Sequence, residues 1–368
     1  MHRLRAAWDV VLGRITPRTV DAAECVVSVL LAILVAHAIG GDNVAWAAFA
    51  GYMVMRGHAS ETVLRGLLRI VGTVVGGLLA LGLAPLVASS WIGSALAMAA
   101  VGTLSLYRAL TARRSYAWLF FGLTFAMVLL DKIEAPATAL NQFVLSRILE
   151  TVAGTLACMA VSIVSTLTVR RRWPAPPTPP PPVALWHPAA FAHAAQAGVA
   201  LALLIGVARA LTLPALAQSA VGVMAVMLVP TQGLGSGGLV PVSVRLAQRF
   251  VGCLVGAAMA ALCLFVAQGQ APILVAGTAM GVAIGRSIEN GPHSYRYVGT
   301  QFTLAVLVML VPDSYADGDV TPGIERLLAV LIGMAVLEPV LVIGHWLAPR
   351  TIRTGSPAPR GLDEPGGV

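Results

Sequence analysis

Twelve apolar runs follow one another along this chain, each closed by charged residues or by a Pro/Gly cluster. They lie at 20–40, 44–55, 70–88, 91–107, 116–130 and 146–169, and again at 190–211, 214–229, 250–267, 271–285, 297–311 and 326–348. No other feature constrains the fold as strongly. A soluble domain of 368 residues has no use for 58% hydrophobic and only 11% charged residues. A polytopic membrane protein does, because its lipid-facing surface must be as apolar as its core. No run alternates as a barrel strand does, so the spans are read as helices and the fold as all-α. Several runs fall short of the ~20 residues a straight span needs. The shortest, Val44 to Met55, reads as a half-span or a re-entrant piece. Its counterpart, Pro214 to Val229, is placed alike, so ten and twelve spans both stay open.

The charges orient the runs. With a cytoplasmic N-terminus and all twelve runs crossing, every basic residue except Lys132, Arg147, Arg209 and Arg326 falls on the cytoplasmic side. Asp42, Asp131, Glu134, Asp313, Asp317 and Asp319 fall in the outer loops. This is the positive-inside pattern, with both termini inside. The net charge of +8 is therefore orientation charge, and a lipid bilayer rather than nucleic acid is the expected partner. The run Ala22 to Ile39 follows a basic leader but is too long for a signal peptide, so it is kept as a mature span.

The chain repeats itself. LRGLLRIVGTVVGG (Leu64–Gly77) returns as VRLAQRFVGCLVGA (Val244–Ala257), carrying Arg65, Arg69, Gly72 and Gly76 onto Arg245, Arg249, Gly252 and Gly256 at an offset of 180 residues. SYAWLFFGLTFAMVLLD (Ser115–Asp131) resembles SYRYVGTQFTLAVLVMLVPD (Ser294–Asp313), and Ser115, Tyr116 and Thr124 are matched with Ser294, Tyr295 and Thr303 at 179. Arg147 and Gly154 match Arg326 and Gly333 at the same offset. An even number of spans per half gives two parallel six-helix repeats about an axis along the membrane normal, with a substrate path at the seam. The expected divisions are a cytoplasmic segment (1–19), a first transmembrane repeat (20–170), a Pro-rich cytoplasmic linker (171–189) and a second repeat (190–349). A disordered cytoplasmic tail (350–368) ends the chain. The linker prolines from Arg170 to Val183 read as an extended spacer. The Gly-x-x-x-Gly pairs each lie on one helix face, where small residues let backbones approach; packing is the ordinary reading.

Candidate functional residues are the ionisable and aromatic groups that break the pattern. Glu338 lies within the last run and precedes Pro339, where the helix ladder is expected to break or kink. It is the first candidate for proton coupling; Glu24, pairing with Arg18 or releasing protons, is the second. Arg147 and Arg326 run against the charge bias and are candidate carboxylate ligands, with local pairing of Arg147 to Glu150 and of Arg326 to Glu325 or outer-loop acids as the structural alternative. Arg65, Arg69, Arg245 and Arg249 are expected to anchor their spans at the headgroups and to collect anionic substrate at the cytoplasmic mouth. Tyr116 and Tyr295 begin their spans as interfacial anchors and candidate substrate contacts. His37, His58 and His293 have no metal-site partners, and the four cysteines lie in apolar runs without ligand spacing, so no metal and no cofactor is expected. Gly233 to Pro241 lacks the Lys-Ser/Thr of a phosphate loop and reads as a flexible connection. With no protease or hydrolase motif present, no enzyme activity is expected, nor direct use of ATP.

RGHASETVLRGLLRIVGTVVGG (Arg56–Gly77), followed by SYAWLFFGLTFAMVLLD and with Trp46 in the second run, resembles the fusaric acid resistance (FUSC) family of the aromatic acid exporter superfamily. The likeness covers most of 20–170, with a weaker copy over 195–348. The resemblance implies a bacterial inner-membrane efflux protein for aromatic carboxylic acids, often partnered by a periplasmic adaptor; a homo-oligomer stays open. This chain lacks the large cytoplasmic domains of the longer relatives. The leading expectation is a proton-driven exporter of small organic anions. A passive organic-anion channel and a non-transport membrane scaffold are the alternatives.

Overall fold

The apolar runs become twelve α-helices, with no strand among the described residues. The computed structural model describes residues 16–136, 139–176, 186–211, 216–230, 234, 239–311 and 320–347. Arg3, Arg5, Arg14, Pro214, the acids Asp313, Asp317 and Asp319, most of the proline linker and the tail lie outside the described residues. The first six helices are α1 (Pro17–Ala38), α2 (Val44–Val54), α3 (Ala59–Val87), α4 (Trp91–Thr111), α5 (Ser115–Glu134) and α6 (Leu140–Leu167). The second six are α7 (Pro188–Ala210), α8 (Leu216–Met227), α9 (Leu239–Ala267), α10 (Ala271–Glu289), α11 (Arg296–Leu310) and α12 (Thr321–Leu347).

Local chemistry sets several of the helix ends. Thr16 caps α1 by accepting the Thr19 N–H at 3.2 Å, and Pro17 occupies the first turn, where no intrahelical N–H is needed. Ser90 caps α4 through the Gly93 N–H at 3.1 Å. Between α9 and α10 the chain turns through Gln268 and Gly269, both at positive φ. Leu239 to Pro241 belong to α9, so the Gly-rich connection ends before them. α12 runs through Pro339 without the break expected there. After α6 the chain makes a 3₁₀ turn, Val169–Arg171, so the linker does not begin extended at Arg170.

Nine of these helices are long and apolar enough to cross a membrane; α2, α8 and α11 are shorter. The short α2 is buried nearly all round. At its head the Asn43 N–H donates to Glu150 Oε1 of α6 at 3.0 Å. In its last turn the Tyr52 hydroxyl donates to Glu289 Oε2, at the end of α10, at 2.6 Å. Helix walls surround it, so it does not need the length that lipid demands.

The helices pack in matched sets. α3 lies on α5 as α9 lies on α11, and α6 packs on α1, α2 and α3 as α12 packs on α7, α8 and α9. Contacts between the repeats come in exchanged couples: α4 against α7 with α10 against α1, and α5 against α8 with α11 against α2. Exchanging the repeats turns one contact of each couple into the other, as a pseudo-two-fold axis between them requires. Gly72 and Gly76 make the α3–α5 contact. A Cβ on either would fall within 3.0 Å of the backbone carbonyl oxygen of Ala117 or Phe121. Gly252 and Gly256 stand in the same relation to Val298 and Phe302. Without a hydrophobic force between helices in lipid, such close approach is what holds them. Leu64, Leu67, Val71, Val75 and Leu78 cover the opposite face of α3 and are exposed, as a lipid-facing stripe should be.

Candidate functional site

Arg65 and Arg69 are four residues apart on α3, about 6 Å along the helix axis. The face they share is the glycine face, since Leu64, Leu67 and Val71 take the outward one. Arg69 is 3% exposed and its counterpart Arg249 is 2% exposed. The expected headgroup anchoring therefore does not hold for these two. Helical periodicity turns them to the seam between the repeats.

There they line a cavity of about 330 Å³, within the range of small-molecule sites. Six arginines face it in three pseudo-symmetric pairs: Arg65 and Arg245, Arg69 and Arg249, Arg147 and Arg326. No acidic residue is among its lining residues. Every arginine that the sequence singles out as a substrate ligand is thus gathered into one space. Buried cations are costly unless paired, and the pairing here is sparse. The Nε atoms of Arg65, Arg69, Arg249 and Arg326 are buried without a hydrogen-bond partner. The Tyr297 hydroxyl is buried in the same way.

The two walls differ. The first repeat lays aromatic rings against its arginines. Arg65 stands 3.9 Å from the Tyr116 ring centre, Arg69 4.0 Å from Phe120 and Arg147 4.3 Å from Trp46. Arg69 Nη1 also donates to the Tyr116 hydroxyl at 3.3 Å. The second repeat offers amides instead: Arg249 Nη1 donates to Gln301 Oε1 at 2.8 Å, Gln218 and Thr300 also line the space, and its one lining ring, Tyr297, lies 5.3 Å from Arg245. At the arginine-rich end, between α2 and α3, burial and the neighbouring Arg65 and Arg286 guanidiniums push Arg56 down to about 10, still cationic at neutral pH.

Tyr295 is not in the cavity. It is 47% exposed and stacks on His293. The glycine contacts give the reason: Ala117 matches Val298 and Phe121 matches Phe302, an offset of 181 rather than 179. Tyr116 therefore corresponds to Tyr297. The Ser-Tyr identity at 294–295 is a coincidence of the turn before α11.

The acidic candidates lie elsewhere. Glu338 is half-buried on α12 and does not line the cavity. Glu24 pairs with Arg170 at 2.6 Å, not with Arg18, and accepts from the Ser165 hydroxyl. It belongs to a buried network that sequence reasoning missed. In it Asp21 receives Arg286 Nε and the Asn290 side chain, each at 2.6 Å, and lies 3.5 Å from Arg170. Arg170 and Arg286, placed by the sequence among the cytoplasmic-side charges, are 8% and 4% exposed. Arg147 lines the cavity and also makes the local pair that was its structural alternative, 3.4 Å from Glu150. Arg326 makes no ion pair among the described residues; its guanidinium lies 5.9 Å from the Phe49 ring centre, across the seam. Among the described residues no cluster could hold a metal ion.

The family model described as fusaric acid resistance protein-like matches residues 31–161 and 234–337, one segment in each repeat. No curated protein and no solved structure matches the chain.

Proposed function

The chain belongs to the fusaric acid resistance protein-like family of membrane transport proteins, and from that premise we propose that it exports small organic anions, aromatic carboxylates foremost, through the seam between its repeats. One observation carries this reading: six arginines and no acid line a single cavity at the pseudo-two-fold axis, with buried guanidinium N–H groups left to donate. A guanidinium offers a carboxylate two parallel hydrogen bonds, and a dry wall strengthens them. The rings of Trp46, Phe49, Tyr116 and Phe120 suit a flat apolar body, while Gln218, Thr300 and Gln301 opposite suit a polar substituent. The arginine-rich end is taken as cytoplasmic and the membrane as the bacterial inner membrane, in keeping with the charge bias of the whole chain. The proton gradient is the proposed drive.

Proteoliposomes test this. With the purified protein, an imposed pH gradient should drive benzoate across the membrane, and an uncoupler should stop it. Flux that continues down the benzoate gradient unaffected by the uncoupler would make the protein a passive channel. Absence of flux and of binding would leave a scaffold.

A further inference from the structure

The three arginine pairs are symmetric in charge but not in their counter-charges. Arg147 faces Glu150 one helical turn away, at 3.4 Å. The residue one turn after Arg326, in the equivalent place, is Ala329. The fold accepts an apolar residue there, so a carboxylate is not required to build this corner of the repeat. Glu150 is 1% exposed. Among its contacts, Oε1 accepts from the Asn43 N–H at 3.0 Å and Oε2 lies against Arg147. At 3.4 Å that contact is longer than the about 2.8 Å of a tight charge-assisted hydrogen bond. Arg147 itself stands between Glu150 and the cavity, its guanidinium over Trp46.

Resting on the anion-export reading, we propose that Glu150 is a built-in competitor for the cargo at Arg147, and that it takes up one proton when the cargo displaces it. The exchange balances. The ion pair Arg147⁺·Glu150⁻, one cargo carboxylate and one proton from water become Arg147⁺·cargo⁻ and a neutral Glu150 carboxyl. A buried carboxylate stripped of its cation is strongly unfavourable, and protonation relieves it. At the end where the chain between α1 and α2 lies, the titratable groups are His37 of α1, Asp42, which accepts from Ser146 on α6, and Asp131, Lys132 and Glu134 of α5; Asp131 acts electrostatically on Arg147, and α3, also packed on α6, turns Arg69 to the same cavity. Across the cavity α12 contributes Arg326. Arg147 is the cation in direct contact with Glu150.

The test uses the full-length protein in detergent with benzoate as the probe. Wild type in weak buffer should take up close to one proton per benzoate bound, and its affinity should rise about tenfold per unit fall in pH while Glu150 is ionised in the unliganded protein. Glu150→Gln keeps an oxygen for the Asn43 N–H but has no charge. It should bind benzoate more tightly, with no proton uptake and a flat pH profile. Ala329→Glu should add a second competitor, weakening binding and doubling the uptake. Proton uptake that persists in Glu150→Gln, or a pH profile unmoved by both variants, overturns the proposal while leaving the anion site standing. Failure of the wild type to bind benzoate or any other organic anion overturns the export reading, and this proposal with it.

Discussion

Arg286 Nε donates to Asp21 Oδ2 at 2.6 Å, tying the fourth helix of the second repeat to the first helix of the first. The equivalent contact, α4 on α7, has no such pair. There Gly198 sits against the Ala99 carbonyl and the Thr103 side chain, with no room for a Cβ. One side of the seam is thus fastened by buried charge and the other by close backbone approach.

Removing one member of the charged pair should be costly. Asp21→Ala leaves Arg286 buried with much of its counter-charge gone, and a loss of about 3–5 kcal/mol is expected. Thermal unfolding in detergent would show it as a fall in midpoint. The double replacement Asp21→Leu with Arg286→Met should recover most of that loss, because neither charge is then stranded.

Arg69→Gln and Arg249→Gln should each weaken benzoate binding about tenfold or more, since a hydrogen bond to a charged group contributes about 1.5–3 kcal/mol. Benzamide, the same ring without charge, should lose nothing in either variant. Equal losses for both ligands would mean that the substitutions had disturbed the fold.

Tyr297→Phe should weaken binding by about threefold to tenfold, as expected for a single neutral hydrogen bond. Tyr295→Phe should leave it unchanged. The comparison checks the register of α11 by titration alone.

Gly72→Val should drive α3 off α5, costing about 1–3 kcal/mol or more and separating Arg69 from Tyr116. Gly82→Ala, in the same helix with nothing within 4 Å of its added Cβ, should be tolerated. The unfolding midpoints of the two variants would separate helix packing from glycine content.

Glu338→Gln should leave benzoate affinity and proton uptake at wild-type values, because Glu338 does not line the cavity. An abolished uptake would return the coupling role to Glu338, where sequence reasoning first placed it.

Much of this was legible in the sequence, and the reasons differ by residue. Arg65, Arg69, Arg147 and their copies stand out because charge at the edge of an apolar run or within it is expensive and because each recurs at nearly one offset. Their inward direction was also readable: Arg69, Gly72 and Gly76 are spaced by three and four, which is one helix face. The register of α11 was not. Two identical letters, Ser294 and Tyr295, outweighed the spacing that places Tyr297 on the cavity, and only the glycine contacts separate 179 from 181. Nor was the Asp21–Arg286 pair readable, since the partners lie 265 residues apart and each looks like an ordinary end-of-span charge. Glu150 appeared only as a neighbour of Arg147. What gives it weight is the alanine in the matching place, and that needs the two repeats laid over one another.

Because the two walls of the cavity belong to one polypeptide, they are free to diverge. In an assembly of identical subunits, a ring gained on one side is gained on the other, and the passage stays blind to which way round its cargo lies. Here Phe120 faces a space whose matching position holds Gln301. Fusion of the halves thus gives the passage a left and a right, and with them the means to tell one end of a flat anion from the other.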